Sequence, residues 1–270
     1  MINTVLLCPP KYYQIEYEIN PWMHVENKVD PERTHEEFDN LKNIYKKIGL
    51  DVWIMDPEPG LPDMVYTANC GFVIDNLFIK ANFRYQQRRK ESDFAEKLFR
   101  QKKFKIATLP SNVYFEGQGD LFFRDGKFFA AYGRRTSKKA IGHLENILGE
   151  KIITFMVKKD PYFFHLDTCF APLGKGKVII HPASFSNDDI DKIKKNFRKV
   201  ITVSKKDNPF FCCNIVATDD AVIVGKGMSK DIKRTLEKEG LKVFETPMNE
   251  YFKGGGSVKC TTLEFFRSNS

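Results

Sequence analysis

Leu121-Phe-Phe-Arg124, Asp125-Gly126, then Phe128-Phe-Ala-Ala-Tyr132 reads as two β-rich runs joined by a turn. A polar stretch with apolar residues at helical spacing follows over Ser137–Leu148, and a third β-rich run covers Lys151–Val157. This strand, strand, helix, strand order recurs. Cys70–Ile74 and Leu77–Phe83 flank Asp75-Asn76 and lead into Gln86–Lys102 and Phe104–Leu109. Cys169–Leu173 and Lys177–His181 flank Gly174-Lys175-Gly176, followed by Asn187–Arg198 and Lys199–Val203. Cys213–Thr218 and Ala221–Gly225 flank Asp219-Asp220, followed by Met228–Glu239 and Leu241–Thr246. A fifth helix, Glu32–Ile48, and strand, Asp51–Met55, stand at the start of the chain. Gly49 and Gly240 lie where helix C-caps are expected. The fifth unit is complete if Val258–Phe266 pairs with Thr4–Cys8. Units repeating at roughly 50-residue intervals predict an α/β fold, a five-bladed pseudo-symmetric propeller of ββαβ units with helices outside. No linker interrupts the pattern, so residues 1–270 are expected to form one domain.

The chemistry-bearing residues collect where each unit enters its first hairpin strand. These segments read Pro62-Asp63-Met-Val-Tyr66-Thr67-Ala68-Asn69-Cys70, Phe115-Glu116-Gly117-Gln118-Gly119-Asp120, Phe164-His165-Leu166-Asp167-Thr168 and Gly254-Gly255-Gly256-Ser257-Val258-Lys259-Cys260. In a closed ring, equivalent positions share one axial mouth. Asn69, Glu116, His165, Asp167 and Cys260 should therefore converge there. Taken singly, Cys260 could be a small buried hydrophobe, His165 a core histidine, and Glu116 and Asp167 turn caps. Three glycines before Cys260 point instead to close backbone approach to a ligand, and His165 offers a thiolate the partner it needs. Carboxylates crowded around a thiol repel its ionised form; they make sense if the substrate is a cation, above all a planar guanidinium taking forked hydrogen bonds. A carboxylate tail on that substrate needs a cation, for which Arg88 or Arg89 and Arg134 or Arg135 are candidates.

Composition narrows the alternatives. Hydrophobic residues make up 42 % and charged residues 29 % of 270, with a net charge of +8, which suits a globular chain and excludes wholesale disorder. The first residues lack the basic start and long apolar stretch of a signal peptide, and no apolar run approaches the roughly 20 residues of a spanning helix. Six cysteines without a Cys-x-x-Cys pair suit reduced thiols in a cytoplasmic enzyme. No metal is expected: the five histidines form no His-Glu-x-x-His, and no cysteine pair has zinc spacing. Gly117-Gln-Gly119 and Gly225-Lys-Gly227 lack the third glycine of a dinucleotide loop. Basic runs at Gln86–Lys90 and Lys192–Lys199 lack interleaved stacking aromatics, which argues against nucleic acid. Whether the chain forms a homo-oligomer stays open.

Cys8-Pro-Pro, Glu18-Ile-Asn20-Pro-Trp22-Met23, Pro62–Asn69, Phe115-Glu116-Gly, His165-Leu-Asp167-Thr and Gly254–Cys260 together resemble the guanidino-group-modifying superfamily. It comprises arginine deiminases, arginine dihydrolases, dimethylarginine dimethylaminohydrolases and amidinotransferases, and its fold is a five-bladed α/β propeller. The resemblance implies that Cys260 is the nucleophile and His165 the general acid and base. Glu116 holds the guanidinium and orients His165, while Asp167 binds guanidinium nitrogens. Arg88 and Arg135 hold the substrate carboxylate, with Arg89 and Arg134 not excluded, and Asn20 and Asp63 are further substrate contacts. Deiminases and dimethylarginine hydrolases usually place Asp where this chain has Asn69. The Thr67-Ala68-Asn69 version is similar to the arginine dihydrolases, whose product is ornithine. The implied activity is hydrolysis of arginine or a close analogue, without metal or organic cofactor. Alternatives are dimethylarginine hydrolysis, amidino transfer, and a non-catalytic binding module on the same fold.

Overall fold

A computed structural model describes residues 2–157, 160–204, 206, 207 and 211–268. The elements run β1 (Thr4–Leu7), α1 (Pro31–Lys47), β2 (Asp51–Ile54), β3 (Gly71–Ile74), β4 (Leu77–Lys80), α2 (Glu91–Gln101) and β5 (Lys105–Ala107). Next come β6 (Leu121–Arg124), β7 (Lys127–Tyr132), α3 (Lys138–Leu148), β8 (Ile152–Met156), β9 (Phe170–Gly174), β10 (Lys177–Ile180), α4 (Asn187–Asn196) and β11 (Lys199–Thr202). The last are β12 (Val216–Ala217), β13 (Ala221–Gly225), α5 (Lys230–Lys238), β14 (Lys242–Thr246), α6 (Asn249–Phe252) and β15 (Leu263–Phe266). This is an α/β architecture with several sheets.

One pairing scheme recurs five times. A middle strand (β1, β4, β7, β10 or β13) lies antiparallel to an inner strand and parallel to an outer one. The parallel pair demands a crossover, which a helix supplies in every unit; the antiparallel pair needs only a tight turn. Asp75 (φ 50°), Asp125 (φ 51°) and Lys175 (φ 53°) bend three of those turns through left-handed backbone. A fourth turn joins β12 to β13, and in the fifth unit the first and last strands meet, with Val5 facing Glu264 and Leu6 facing Leu263 in the β1–β15 pair. β15 also pairs in parallel with β3, merging two units into a six-stranded sheet β2-β1-β15-β3-β4-β5. The inner strands are buried along their whole length, whereas β2, β5 and β11 are largely half-buried or exposed. Burial therefore rises toward the inner strands, and the helices cover the outside.

Helix boundaries follow local chemistry. Asp30 caps α1 by accepting the Glu32 and Arg33 amides at 3.1 Å each. Gly49 and Gly240, one residue past the caps of α1 and α5, both take φ of 84°. Three expected elements are shorter than the sequence pattern implies. Gln86–Arg88 forms a tight 3-10 turn ahead of α2, because Arg88 turns into the core while its two neighbours face solvent. Cys213–Ile215 and Val258–Thr262 are turns rather than strand. In the latter, Thr261 and Thr262 hydroxyls bond the carbonyls of Ser257 and Val258, curling the backbone in place of a ladder.

Candidate active site

A tight turn precedes each inner strand: Thr67–Cys70, Gly117–Gly119, Leu166–Thr168, then residues 211–214 and 257–262. Each turn is bonded to the next. The Ala68 amide donates to the Cys260 carbonyl at 3.1 Å and the Lys259 amide to the Asn214 carbonyl at 3.3 Å. Asn214 Nδ2 reaches the Asp167 carbonyl at 3.2 Å, and the Leu166 amide reaches Asp120 Oδ1 at 3.0 Å. Asn82 and Phe115 exchange backbone bonds of 2.8 and 3.0 Å, joining the second unit to the first. Residues far apart in sequence thus come together, and five of the expected site residues (Asn69, Glu116, His165, Asp167 and Cys260) are all buried here.

Cys260, Asn69, Asp63, Arg88, Arg135 and the half-buried Asn20 line one narrow cleft, along with Tyr66 and Phe164. Glu116 stands behind Arg135, with Oε2 3.1 Å from its Nη1 and 2.8 Å from His165 Nε2. Burial alone raises a carboxyl's pKa, but Arg135 and the His165 bond outweigh it and hold Glu116 well below the usual carboxylate range. The Arg alternatives resolve by position. Arg88 and Arg135 are 3 % and 2 % exposed, whereas Arg89 and Arg134 face solvent. Arg88 binds Glu91 through Nε and Nη2 at 2.8 to 3.1 Å and gives Nη1 to Asn69 Oδ1 at 2.9 Å. Arg135 also gives Nη2 to the Ile19 carbonyl at 3.0 Å and stacks against Tyr85. Asn20 ties the glycine segment down, donating to the Gly254 carbonyl at 3.1 Å.

Two expectations need correction. His165 is not the sulfur's partner: among the described residues, Cys260 Sγ bonds Asp167 Oδ2 at 3.2 Å and Asn214 Nδ2 at 3.0 Å. His165 instead spends Nε2 on Glu116, and its Nδ1 has no bond among the described residues. The reading of the three glycines needs correction only in part: Gly254 and Gly255 line the cleft, but packing within the protein requires them as well. Gly255 adopts φ of 86°, and a Cβ on Gly256 would lie 2.3 Å from the Tyr66 ring. The triplet lets the chain pass Tyr66 and Asn20 closely enough to deliver Cys260.

Sequence reasoning missed Asn214 and Glu91. Asn214 occupies the fourth unit's copy of the turn, and the repeat itself was the signal that could have found it. Glu91, fully buried beside Arg88, reads in sequence as an ordinary first-turn helix carboxylate. Away from the cleft, Glu18, His24 and Glu26 bring ligand atoms within 4.8 Å of one another at the exposed surface. No helix among the described residues is long and apolar enough to cross a membrane.

Charge around the cleft is lopsided. Asp63, Glu91, Glu116, Asp120, Asp167 and Glu264 are buried, against three buried cations, Arg88, Arg135 and Lys259. Burial, only partly offset by neighbours such as Arg88, Cys260 and His165, pushes Glu91 and Asp167 up to about 7 and Asp120 to about 6. Burial also leads in raising the Cys260 thiol well above its ordinary value, with the Asp167 charge second and the Asn214 bond opposing. The folded protein holds the protons of these raised carboxyls more tightly than the unfolded chain. The stability they contribute is full below the unfolded values of about 4 and is lost as pH climbs through 6 to 7. Glu116 has the opposite sign: its contribution is present above the unfolded value and lost as acid protonates it. A thermal scan of the ligand-free protein should therefore melt about 5 °C higher near pH 5.5 than near pH 8; equal midpoints would contradict this charge excess.

The family model described as N,N dimethylarginine dimethylhydrolase, eukaryotic, matches residues 14–267. The chain is 34 % identical over 264 residues to the bifunctional arginine dihydrolase/ornithine cyclodeaminase ArgZ of Synechocystis, covering 96 % of this chain but 37 % of that protein. It is 33 % identical over 258 residues to the N(G),N(G)-dimethylarginine dimethylaminohydrolase of Mycobacterium tuberculosis, covering 96 % of this chain and 84 % of that one. The crystal structure of the N-terminal domain of ArgZ bound to product, an arginine dihydrolase from the ornithine–ammonia cycle in Cyanobacteria, superposes with a TM-score of 0.94. It is 32 % identical and covers 98 % of each chain. With its buried thiol, its Glu–His pair and these similarities, the chain belongs to the N,N-dimethylarginine dimethylhydrolase family of the guanidino-group-modifying superfamily.

Proposed function

We propose that the protein is a thiol-dependent hydrolase of the guanidino group of arginine, working through a covalent Cys260 intermediate on a single closed ring of five ββαβ units. The observation that carries this reading is the nucleophile's setting: a buried thiol that lines the cleft and is bonded to Asp167, with Glu91, Glu116 and Asp120 buried in the surrounding protein. A guanidinium entering that cleft supplies the missing positive charge, lets Asp167 ionise, and donates forked hydrogen bonds to carboxylate oxygens. It also lowers the free energy of the thiolate, which the empty site disfavours.

Each residue then has a task. The thiol proton passes out of the cleft as the cation binds, and Cys260 thiolate adds to the guanidino carbon. His165, oriented by Glu116, protonates the departing nitrogen, and ammonia leaves a thiouronium on sulfur. His165 next takes a proton from water, whose oxygen attacks the same carbon; the C–S bond breaks and a ureido product is released. Arg88 and Arg135 face the substrate carboxylate, and Asn20 and Asp63 face its ammonium end. Support for a second round, ending in ornithine, ammonia and carbon dioxide, comes from Asn69. Its Oδ1 is spent on Arg88 while its Nδ2 is a neutral donor with no partner among the described residues, which suits a ureido oxygen better than a cation. The family match favours a second reading, dimethylarginine as substrate with dimethylamine leaving. The enzyme is read as cytoplasmic, with a small-molecule substrate as its partner.

Incubation with L-arginine should yield two ammonia per ornithine. Citrulline as sole end product would remove the second round. Turnover of dimethylarginine with none of arginine would replace the first reading by the second.

A further inference from the structure

We infer that Asn214 is a positioning residue for the nucleophile: its side-chain amide fixes the turn that carries Cys260 and donates the hydrogen bond that steadies the thiolate. This rests on the reading of Cys260 as nucleophile and goes beyond the residues expected from the sequence.

Asn214 is fully buried, and all four hydrogen-bonding capacities of its amide are used. Oδ1 accepts the Ser257 amide at 3.1 Å and the Cys260 amide at 3.0 Å. Nδ2 donates to Cys260 Sγ at 3.0 Å and to the Asp167 carbonyl at 3.2 Å. The orientation is not arbitrary. A flipped amide would point its NH2 at two backbone N–H groups and its oxygen at a carbonyl and the sulfur, losing every bond. One side chain thus grips both ends of the Ser257–Cys260 turn and the segment bearing Asp167.

The sulfur's two partners act in opposite senses. Asp167 Oδ2 accepts from the thiol and repels a thiolate, whereas Nδ2 is a donor that is bonded better when sulfur carries charge. Among the described residues it is the only side-chain donor bonded to Sγ. Serine or alanine cannot span the four contacts. Aspartate keeps the two accepted backbone bonds but replaces the donor with an acceptor, so it separates the clamp from the charge effect.

The test uses the full chain with Asn214→Ala and Asn214→Asp. Alkylation by iodoacetamide is followed across about pH 7 to 9, with Cys260→Ala defining background from the other thiols. Alkylation rate tracks the thiolate fraction, so loss of the donor should slow it about tenfold at fixed pH, equivalent to one pKa unit. For Asn214→Asp the slowing should be larger. On arginine, kcat should fall about 100-fold, as when one preorganised donor is removed, with KM moving little. Alkylation rates matching wild type in both variants would overturn the proposal, whatever happens to kcat, because they would leave only a structural clamp. If Asn214→Ala does not fold, Asn214→Asp alone decides. Wild-type protein inert toward guanidino substrates would overturn the proposed function, while the alkylation comparison would still decide the role of Asn214.

Discussion

Replacing Cys260 by alanine is expected to abolish guanidino hydrolysis, a loss on the order of 10⁶-fold in kcat by analogy with removal of other covalent nucleophiles. The physical reason is that no second group can take over. Cys8, Cys70, Cys169, Cys212 and Cys213 are all buried, with burial as the leading cause raising their thiols, Cys212 to about 12. None of them lines the cleft with Arg88, Arg135 and Asn69. Deleting the sulfur from a buried side chain of this size removes one small group from a cleft wall, so stability should change by about 1 kcal/mol. Ammonia release and the thermal midpoint, measured on the same preparation, separate the two effects. Hydrolysis retained above about one-tenth of wild type would remove Cys260 from the mechanism. Serine in its place should be equally inactive, since its hydroxyl ionises far less readily than the thiol.

Period and turn chemistry made most of the fold legible in advance. Hairpin turns at Asp75, Asp125 and Lys175 and glycines after α1 and α5 punctuate the chain where the pattern predicts, because left-handed backbone leaves few residue choices. The pairing of Thr4–Cys8 with Val258–Phe266 followed from asking what would complete the fifth unit, and the structure keeps its Thr4–Leu7 and Leu263–Phe266 parts as strands. Less legible were features set by contacts across units. The β15–β3 pairing that merges two sheets depends on how neighbouring inner strands abut, and no local signal encodes it. Asn214 sits in Phe211-Cys212-Cys213-Asn214, an apolar segment with no titratable acid or base other than thiols. Its importance lies in geometry: four bonds to groups 43 to 47 residues away in sequence. The direction of His165 was likewise hidden. Residue type marks an acid–base group, but only the fold decides that Nε2 meets Glu116 and that sulfur meets Asp167.

The +8 net charge is no guide to the cleft, since it sums over the whole surface. Lys42, Lys80, Lys151, Lys192 and Lys233 pair with acidic partners on the outside, while Glu91, Glu116, Asp120 and Asp167 are buried inside. Local desolvation, which amplifies every charge it encloses, sets the preference for a cation.

Glu116→Gln is the second substitution expected to have a large effect, and it tests that local field. Glu116 is completely buried and accepts three hydrogen bonds: from His165 at 2.8 Å, from Arg135 at 3.1 Å and from the Arg84 amide at 3.2 Å. An amide has one oxygen for these donors, so either orientation turns its NH2 toward another N–H. With the amide oxygen toward Arg84, the Arg135 guanidinium keeps only the Ile19 carbonyl as acceptor among the described residues; in either orientation it is a buried cation without its counter-ion. Removing one partner of a buried pair costs about 3 to 5 kcal/mol, so the midpoint should fall by roughly 10 °C in a chain of this size. Catalysis should drop by about 10³-fold, the range of a lost general acid–base arrangement, because His165 loses the group that orients it. Glu116→Asp keeps the charge but withdraws it by one methylene; it should recover most of the stability and little of the activity. A Gln variant that melts with wild type and turns over arginine within about threefold of it would show that Glu116 neither balances Arg135 nor aims His165.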